Sequence, residues 1–179
     1  TPPCTDLIIR EHIPRVVRGN VDIFAAVKGK GIEKLRQHGV EVITGMLEAE
    51  CRELNKRFFT FHEKGRPYII LKWAQTADGF IAHADGAPEK ISNDFTNRLT
   101  HRWRAEEAAI MIGSNTAIND NPSLTNRLWS GKQPVRIVLD SSLKVPVSSR
   151  LFDNAAPVMI LNSLKEKTEN NIRYVKYNS

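Results

Sequence analysis

Short runs of β-branched and other apolar residues alternate along this chain with segments whose apolar residues recur every three or four positions. That alternation restricts the fold to the α/β class with a mainly parallel sheet. Val40-Glu41-Val42-Ile43-Thr44, Ala108 to Ile112, Pro134 to Asp140, Pro157 to Leu161 and Ile172 to Val175 each predict a strand, and Arg15-Val16-Val17-Arg18 predicts a short one. Tyr68-Ile69-Ile70-Leu71-Lys72-Trp73-Ala74 is apolar for nearly its whole length, the pattern of a central strand covered on both faces. The turn signal Ala77-Asp78-Gly79 precedes a brief return strand, Phe80-Ile81-Ala82.

Between these runs the period changes. Thr5-Asp6 can cap a short helix that Pro14 stops, and Ile32 to His38 predicts a second helix ended by Gly39. A longer helix is expected over about 46–62, with Leu47, Cys51, Leu54 and Phe58 as its apolar stripe and His62 at its end. Cys51 is expected to be a core residue on that stripe. Ser92 or Asn93 caps a further helix carrying Phe95, Leu99 and Trp103. The polar stretch at 63–66 reads as a linker. It divides the chain into 1–62 and 67–179.

Composition narrows the function. The 41% hydrophobic and 26% charged residues are ordinary for a globular protein, and no run approaches the roughly 20 apolar residues of a membrane span. The first residues carry no secretory signal and no initiator Met, and two cysteines, Cys4 and Cys51, cannot build a disulfide framework. Cytoplasm is therefore the expected compartment. The net charge of +6 is spread over both parts without a block of like charges, which favours anionic small molecules over nucleic acid. A non-catalytic basic nucleic-acid-binding module is the alternative reading. It would show clustered Lys/Arg with exposed aromatics, and a binding strength that falls steeply with salt.

Three groups of residues, in order, carry a resemblance. Thr1-Pro2-Pro3-Cys4 followed by a short helix is similar to the last zinc-ligand motif of a pyrimidine deaminase domain. Glu53-Leu54-Asn55-Lys56-Arg57-Phe58-Phe59 resembles a helix leading out of that domain. Arg66-Pro67-Tyr68 through Leu71-Lys72, Asp78-Gly79, Gly113, Thr116, Asp120-Asn121-Pro122, Leu124-Thr125 and Arg127 resemble the opening half of a reductase domain. Together they are similar to the bifunctional deaminase/reductase family of riboflavin biosynthesis. The resemblance implies the tail of a cytidine-deaminase-like domain followed by part of a dihydrofolate-reductase-like domain. It implies zinc in the first, NADPH in the second, and a phosphorylated ribosylaminopyrimidine as substrate. Nucleic acid and membrane are not expected partners, and homo-oligomerisation stays open.

The resemblance also assigns roles. Lys72 and Asp120 would lie at the reacting centre; Lys72 alone reads equally well as a lysine snorkelling from a strand end, and Asp120 as a turn former. Arg104 and Arg127 would hold the substrate's phosphate with Leu124 beside them, since a guanidinium binds phosphate bidentately and stays charged. Arg98 and Arg102 are expected on the surface. Ala74, Thr116, Asp120 and Ser141 would contact the dinucleotide, the last at a strand end where α/β sheets bind cofactors. Gly113-Ser114-Asn115-Thr116 follows a strand and opens a short helix but is no Gly-x-Gly-x-x-Gly fingerprint. Cys4 would be a zinc ligand whose partners lie outside these residues, because a single thiolate does not hold catalytic zinc.

Two departures stand out. Pro88-Glu89-Lys90-Ile91 replaces the Ser and Trp of many relatives, and Lys90 could approach an NADPH phosphate instead. The family's Gly-rich dinucleotide loop would follow the final strand seen here, so residues 1–179 alone are expected to reduce substrate weakly or not at all.

Overall fold

The computed structural model describes residues 4–23, 29–83 and 90–178. Pro88 and Glu89, and Thr1-Pro2-Pro3 of the first motif, lie outside the described residues. The chain divides into two compact units, Thr1–Lys72 and Trp73–Ser179. Among the described residues no helix is long and apolar enough to cross a membrane.

In the first unit, α1 (Cys4–Arg10), β1 (Arg15–Arg18), α2 (Lys30–Gln37) and β2 (Glu41–Thr44) fall where the sequence places them. β1 and β2 pair in parallel, Arg15 opposite Glu41 and Arg18 opposite Thr44. Ile32 and Leu35 on α2 and Val40 ahead of β2 are buried, and Lys34 ties α2 to Asp6 of α1. Gly39, at φ +78, turns the chain from α2 into β2 in a conformation that disfavours a Cβ.

The helix expected over 46–62 is two helices, α3 (Glu48–Leu54) and α4 (Lys56–Lys64). They meet at Asn55, which leaves helical geometry at φ −102 and ψ 20 and whose Nδ2 joins its own N–H on the Cys51 carbonyl at 2.9 Å. The break rotates the inward face. Leu47, Leu54 and Phe58 are exposed, and Phe59 is the buried residue, with the Arg52 guanidinium 4.3 Å from its ring centroid. Cys51 is half-buried; a Cβ at Gly19 would collide with its sulfur, so its packing requires glycine there.

A second correction concerns 68–74. No strand forms there, and Ile69, Leu71 and Trp73 are 61%, 77% and 63% exposed. An apolar run becomes a central strand only when partners pair both its edges, and none pairs this one among the described residues. The turn at Ala77-Asp78-Gly79 does form, closed by Thr76 N–H on the Phe80 carbonyl at 2.8 Å, but Phe80-Ile81-Ala82 forms no strand.

The second unit is built on a five-stranded sheet. Helix α5 (Asp94–Glu106) begins at Asn93, whose side chain accepts the Thr96 N–H. There follow β3 (Ala109–Gly113), α6 (Ser114–Asp120), β4 (Val135–Leu139), a single 3-10 turn at Arg150–Phe152, β5 (Val158–Asn162), β6 (Lys167–Glu169) and β7 (Ile172–Lys176). The sheet order is β3-β4-β5-β7-β6, parallel except for the antiparallel edge pair β6–β7. This is the mainly parallel α/β sheet that the alternating sequence predicts.

Its core joins Val138 of β4 to Ala117 of α6, Leu124 and Leu151, with Ile110, Ile112, Val145 and Phe152 against them. The parallel register places Gly113, Leu139 and Leu161 in one row. The segments that follow β3, β4 and β5 therefore emerge together at the carboxyl edge of the sheet.

Candidate functional site

Two loops and one helix face gather the polar chemistry of the second unit. His101 and Arg104 are three residues apart on α5 and so share a face. The loop after α6 reaches them. Asn121 caps α6 at φ 38, Leu124 turns the chain again at φ 55 with its side chain in the core, and Thr125, Asn126 and Arg127 follow. Gln133 brackets this turn from the other side, accepting the Asn126 N–H at 2.6 Å and donating to its carbonyl at 2.9 Å.

The geometry at this junction is specific. Arg104 Nη1 donates to the Thr125 carbonyl at 3.0 Å, and Arg127 Nη1 donates to Thr125 Oγ1 at 3.0 Å. His101 is 5% exposed, and its Nδ1 accepts the Arg127 N–H at 2.9 Å and the Leu128 N–H at 3.4 Å. These bonds assign the ring proton to Nε2, which lies 3.5 Å from Arg104 Nη1.

Both guanidinium groups thus rest on neutral oxygens of one threonine. Burial, and then the Arg127 charge, lower Arg104 from the ordinary guanidinium value, although an arginine stays charged at neutral pH. Arg104 Nε is buried without a partner. Burial and the charges of Arg104 and Arg127 also push the His101 imidazolium toward its neutral form. Two cations on neutral acceptors, one with an idle buried N–H, are the donor set of an anion site.

The other predicted residues are distributed as follows. Thr116 and Asp120 are exposed on α6, four residues apart and therefore on one face. Ser141 follows β4, and its Oγ lies 2.6 Å from the Tyr177 hydroxyl. Ser163 Oγ donates to the Ser141 carbonyl at 2.9 Å, so three hydroxyl side chains group at the carboxyl edge. Asp140 is buried and accepts the N–H groups of Lys144 and Val145, which shapes the turn presenting Ser141.

Ala74 is half-buried, and Lys90 is exposed with its ammonium 4.0 Å from Asp94. Lys72 is exposed and is the last residue of the first unit. Leu124 has its side chain in the core and directly precedes Thr125, on which both arginines rest. Arg102 is on the surface as expected, paired with Glu106 at 2.7 Å. Cys4 is an exposed free thiol, and no group of three His, Cys, Asp or Glu able to hold a metal occurs among the described residues. The donor set for zinc is thus not assembled in the described chain.

His101, Gln133 and Tyr177 escape sequence reading, and Thr125 is read only as part of the Leu124-Thr125 motif. The only signal for His101 is its spacing from Arg104; the others are brought in by the loop path and the sheet edge.

An α/β unit with a mainly parallel sheet carries two arginines on one threonine and hydroxyl groups at its carboxyl edge. The family described as the RibD C-terminal domain matches residues 67–176, and the chain belongs to that family. The riboflavin biosynthesis protein RibD of Aquifex aeolicus is 46% identical over 172 residues, covering 94% of this chain and 48% of that protein. RibD of Escherichia coli is 32% identical over 183 residues, again covering 94% of this chain and 50% of that protein. The chain spans about half the length of the curated relatives it matches.

Solved structures agree. The crystal structure of a diaminohydroxyphosphoribosylaminopyrimidine deaminase/5-amino-6-(5-phosphoribosylamino)uracil reductase from Thermotoga maritima is similar at a TM-score of 0.91 and 38% identity, covering 99% of this chain and 51% of that one. Acinetobacter baumannii RibD is similar at 0.87 and 27% identity, covering 100% and 52%.

Proposed function

We propose that the chain forms part of a bifunctional riboflavin-biosynthesis enzyme and contributes to NADPH-dependent reduction of a phosphorylated ribosylaminopyrimidine, its sugar becoming a ribityl chain. In this reading 67–179 belongs to the reductase, 1–62 is the tail of a zinc deaminase, 63–66 links them, and the protein works in the cytoplasm. Two free cysteines suit that compartment. The single observation that carries the reductase reading is the pair Arg104 and Arg127, both bonded to Thr125 and neither to a carboxylate in the bonds described above.

The roles in this reading are those the family resemblance implies. Arg104 and Arg127 hold the phosphate end of the substrate, fixing the sugar against the rest of the site. Leu124 lies beside them at the substrate, its side chain anchoring the loop. Thr116 and Asp120, sharing one face of α6, and Ser141 at the carboxyl edge contact the dinucleotide, Asp120 accepting a ribose hydroxyl. NADPH, when bound, supplies the hydride. Lys72 and Asp120 are carried as residues of the reacting centre on the family resemblance, as are Ala74 and Lys90 for the dinucleotide. Cys4 is carried as one zinc ligand of the deaminase part, with no step assigned to it here.

The test is Arg104→Ala in the full-length protein carrying this chain, with NADPH oxidation as the readout. KM for the phosphorylated substrate should rise about 10- to 100-fold, because a hydrogen bond to a charged group contributes roughly 1.5–3 kcal/mol. The dephosphorylated substrate should show little change. An equal loss with both substrates would overturn the phosphate assignment.

A further inference from the structure

His101 has no role in the family resemblance, yet it is the buried centre of the arginine cluster. Its Nδ1 lone pair takes two backbone donors, Arg127 N–H at 2.9 Å and Leu128 N–H at 3.4 Å. Those donors belong to the residue that carries the second arginine and to its neighbour. Its other nitrogen faces Arg104 Nη1 at 3.5 Å. A second proton would have to sit on Nδ1, where the Arg127 and Leu128 N–H donors already point, so the ring gains nothing from it. Both arginines would also repel an imidazolium. Asn126 is tied to Gln133 on its other side, leaving the His101 bonds as the ones that fix the Arg127 backbone.

We infer that His101 is a positioning residue for phosphate recognition, a neutral imidazole that preforms the two-arginine site by pinning the backbone of Arg127 and Leu128 to α5. The inference rests on the phosphate reading above. Arg127 is exposed, and its side chain has one bond to Thr125 Oγ1 at 3.0 Å, so the guanidinium is no better placed than the backbone that carries it. Without the His101 acceptor, the Arg127 and Leu128 N–H groups, part-buried against the ring, lose their partner and the loop is free to move. Substrate binding then bears the cost of ordering the loop, while chemistry on bound substrate proceeds as before.

The side chain that separates this role from packing is asparagine, whose Oδ1 sits close to the position of Nδ1 and accepts the same donors. In the full-length protein, His101→Phe should raise KM for the phosphorylated substrate about 10-fold with kcat unchanged, and weaken competition by inorganic phosphate to match. His101→Asn should keep both close to the parent values. In the unaltered protein, nitrogen NMR of the imidazole at neutral pH should show a protonated Nε2 and a bare Nδ1, a readout that needs no variant to fold. A bare Nε2 or an imidazolium would overturn the inference, as would a normal KM in His101→Phe or failure of asparagine to rescue. Arg104→Ala and Arg127→Ala separate the two levels. If they leave KM unchanged the phosphate reading itself is wrong; if they raise it while His101→Phe does not, only the role of His101 falls.

Discussion

Arg136 has no exposed surface, and four acceptors surround its guanidinium. Its guanidinium donates to the carbonyls of Ser123, Arg150 and Ala156 and to Asp153 Oδ1 at 2.8 Å. Burial pushes the Asp153 carboxyl up, but the Ala155 N–H and the Arg136 guanidinium outweigh it, and the net value lies below the usual carboxylate range. Because the folded-state value is depressed, ionised Asp153 stabilises the fold above the unfolded value, and that contribution is lost as pH falls through the folded one. Asp153→Asn should cost about 1–2 kcal/mol near neutrality, the low end because the carboxylate is partly solvated. Urea unfolding should also show a flatter acid limb for this variant than for the parent. His101 works in the opposite charge sense. Its folded-state value is lowered by burial and the two arginines, so unfolded chains take the proton first as pH drops below about 6.5. Stability should decline from there until the folded-state value is passed. His101→Asn, which has no titrating ring, should lack that step in the same unfolding series.

At the scale of elements, α6 and the loop behind it determine where the site lies. Asn121 ends α6 in the left-handed conformation, a place where Asn and Gly are tolerated, and Pro122 prevents the helix from continuing. The Asn121 side chain does more than cap. Its Oδ1 accepts Ser149 Oγ at 3.1 Å and the Arg150 N–H at 2.9 Å, holding the 3-10 turn that supplies Leu151 to the core. Asn121→Gly keeps the backbone conformation and loses these bonds, so thermal unfolding should show a loss of about 1–2 kcal/mol. Asn121→Ala should cost about 1 kcal/mol more, since alanine resists positive φ. Equal losses in the two variants would show that the backbone conformation contributes little. The sequence identifies the Asn-Asp-Asn-Pro breaker as a turn, but the partner of the Asn121 side chain lies 28 and 29 residues further on. No local pattern encodes that separation.

Across the whole molecule, segments 68–74 and 46–62 depart from the sequence reading. The 68–74 run has a strand's composition, but its apolar side chains stay exposed because strand formation depends on a paired edge, which sequence composition cannot supply. Leu71→Lys in this chain should therefore shift stability by no more than about 0.5 kcal/mol, the scale of a surface change. A large loss of melting temperature would show that the run is covered in solution. The 46–62 helix is broken at Asn55, whose backbone leaves helical geometry at φ −102 and ψ 20, and the buried residue is Phe59 rather than Phe58. The amino-acid sequence by itself determined the α/β class, the positions of β1, β2, β3, β4, β5 and β7, and a cap for α5 at Ser92 or Asn93, while the two arginines came from the family resemblance. The elements and the cap follow from periodicity and cap chemistry, which are local properties. Only the tertiary structure decided that both arginines rest on Thr125, that His101 accepts from the Arg127 backbone 26 residues away, and that Leu124 belongs to the core. These depend on how a loop crosses a helix, and burial and hydrogen-bond partners exist only once distant segments have met.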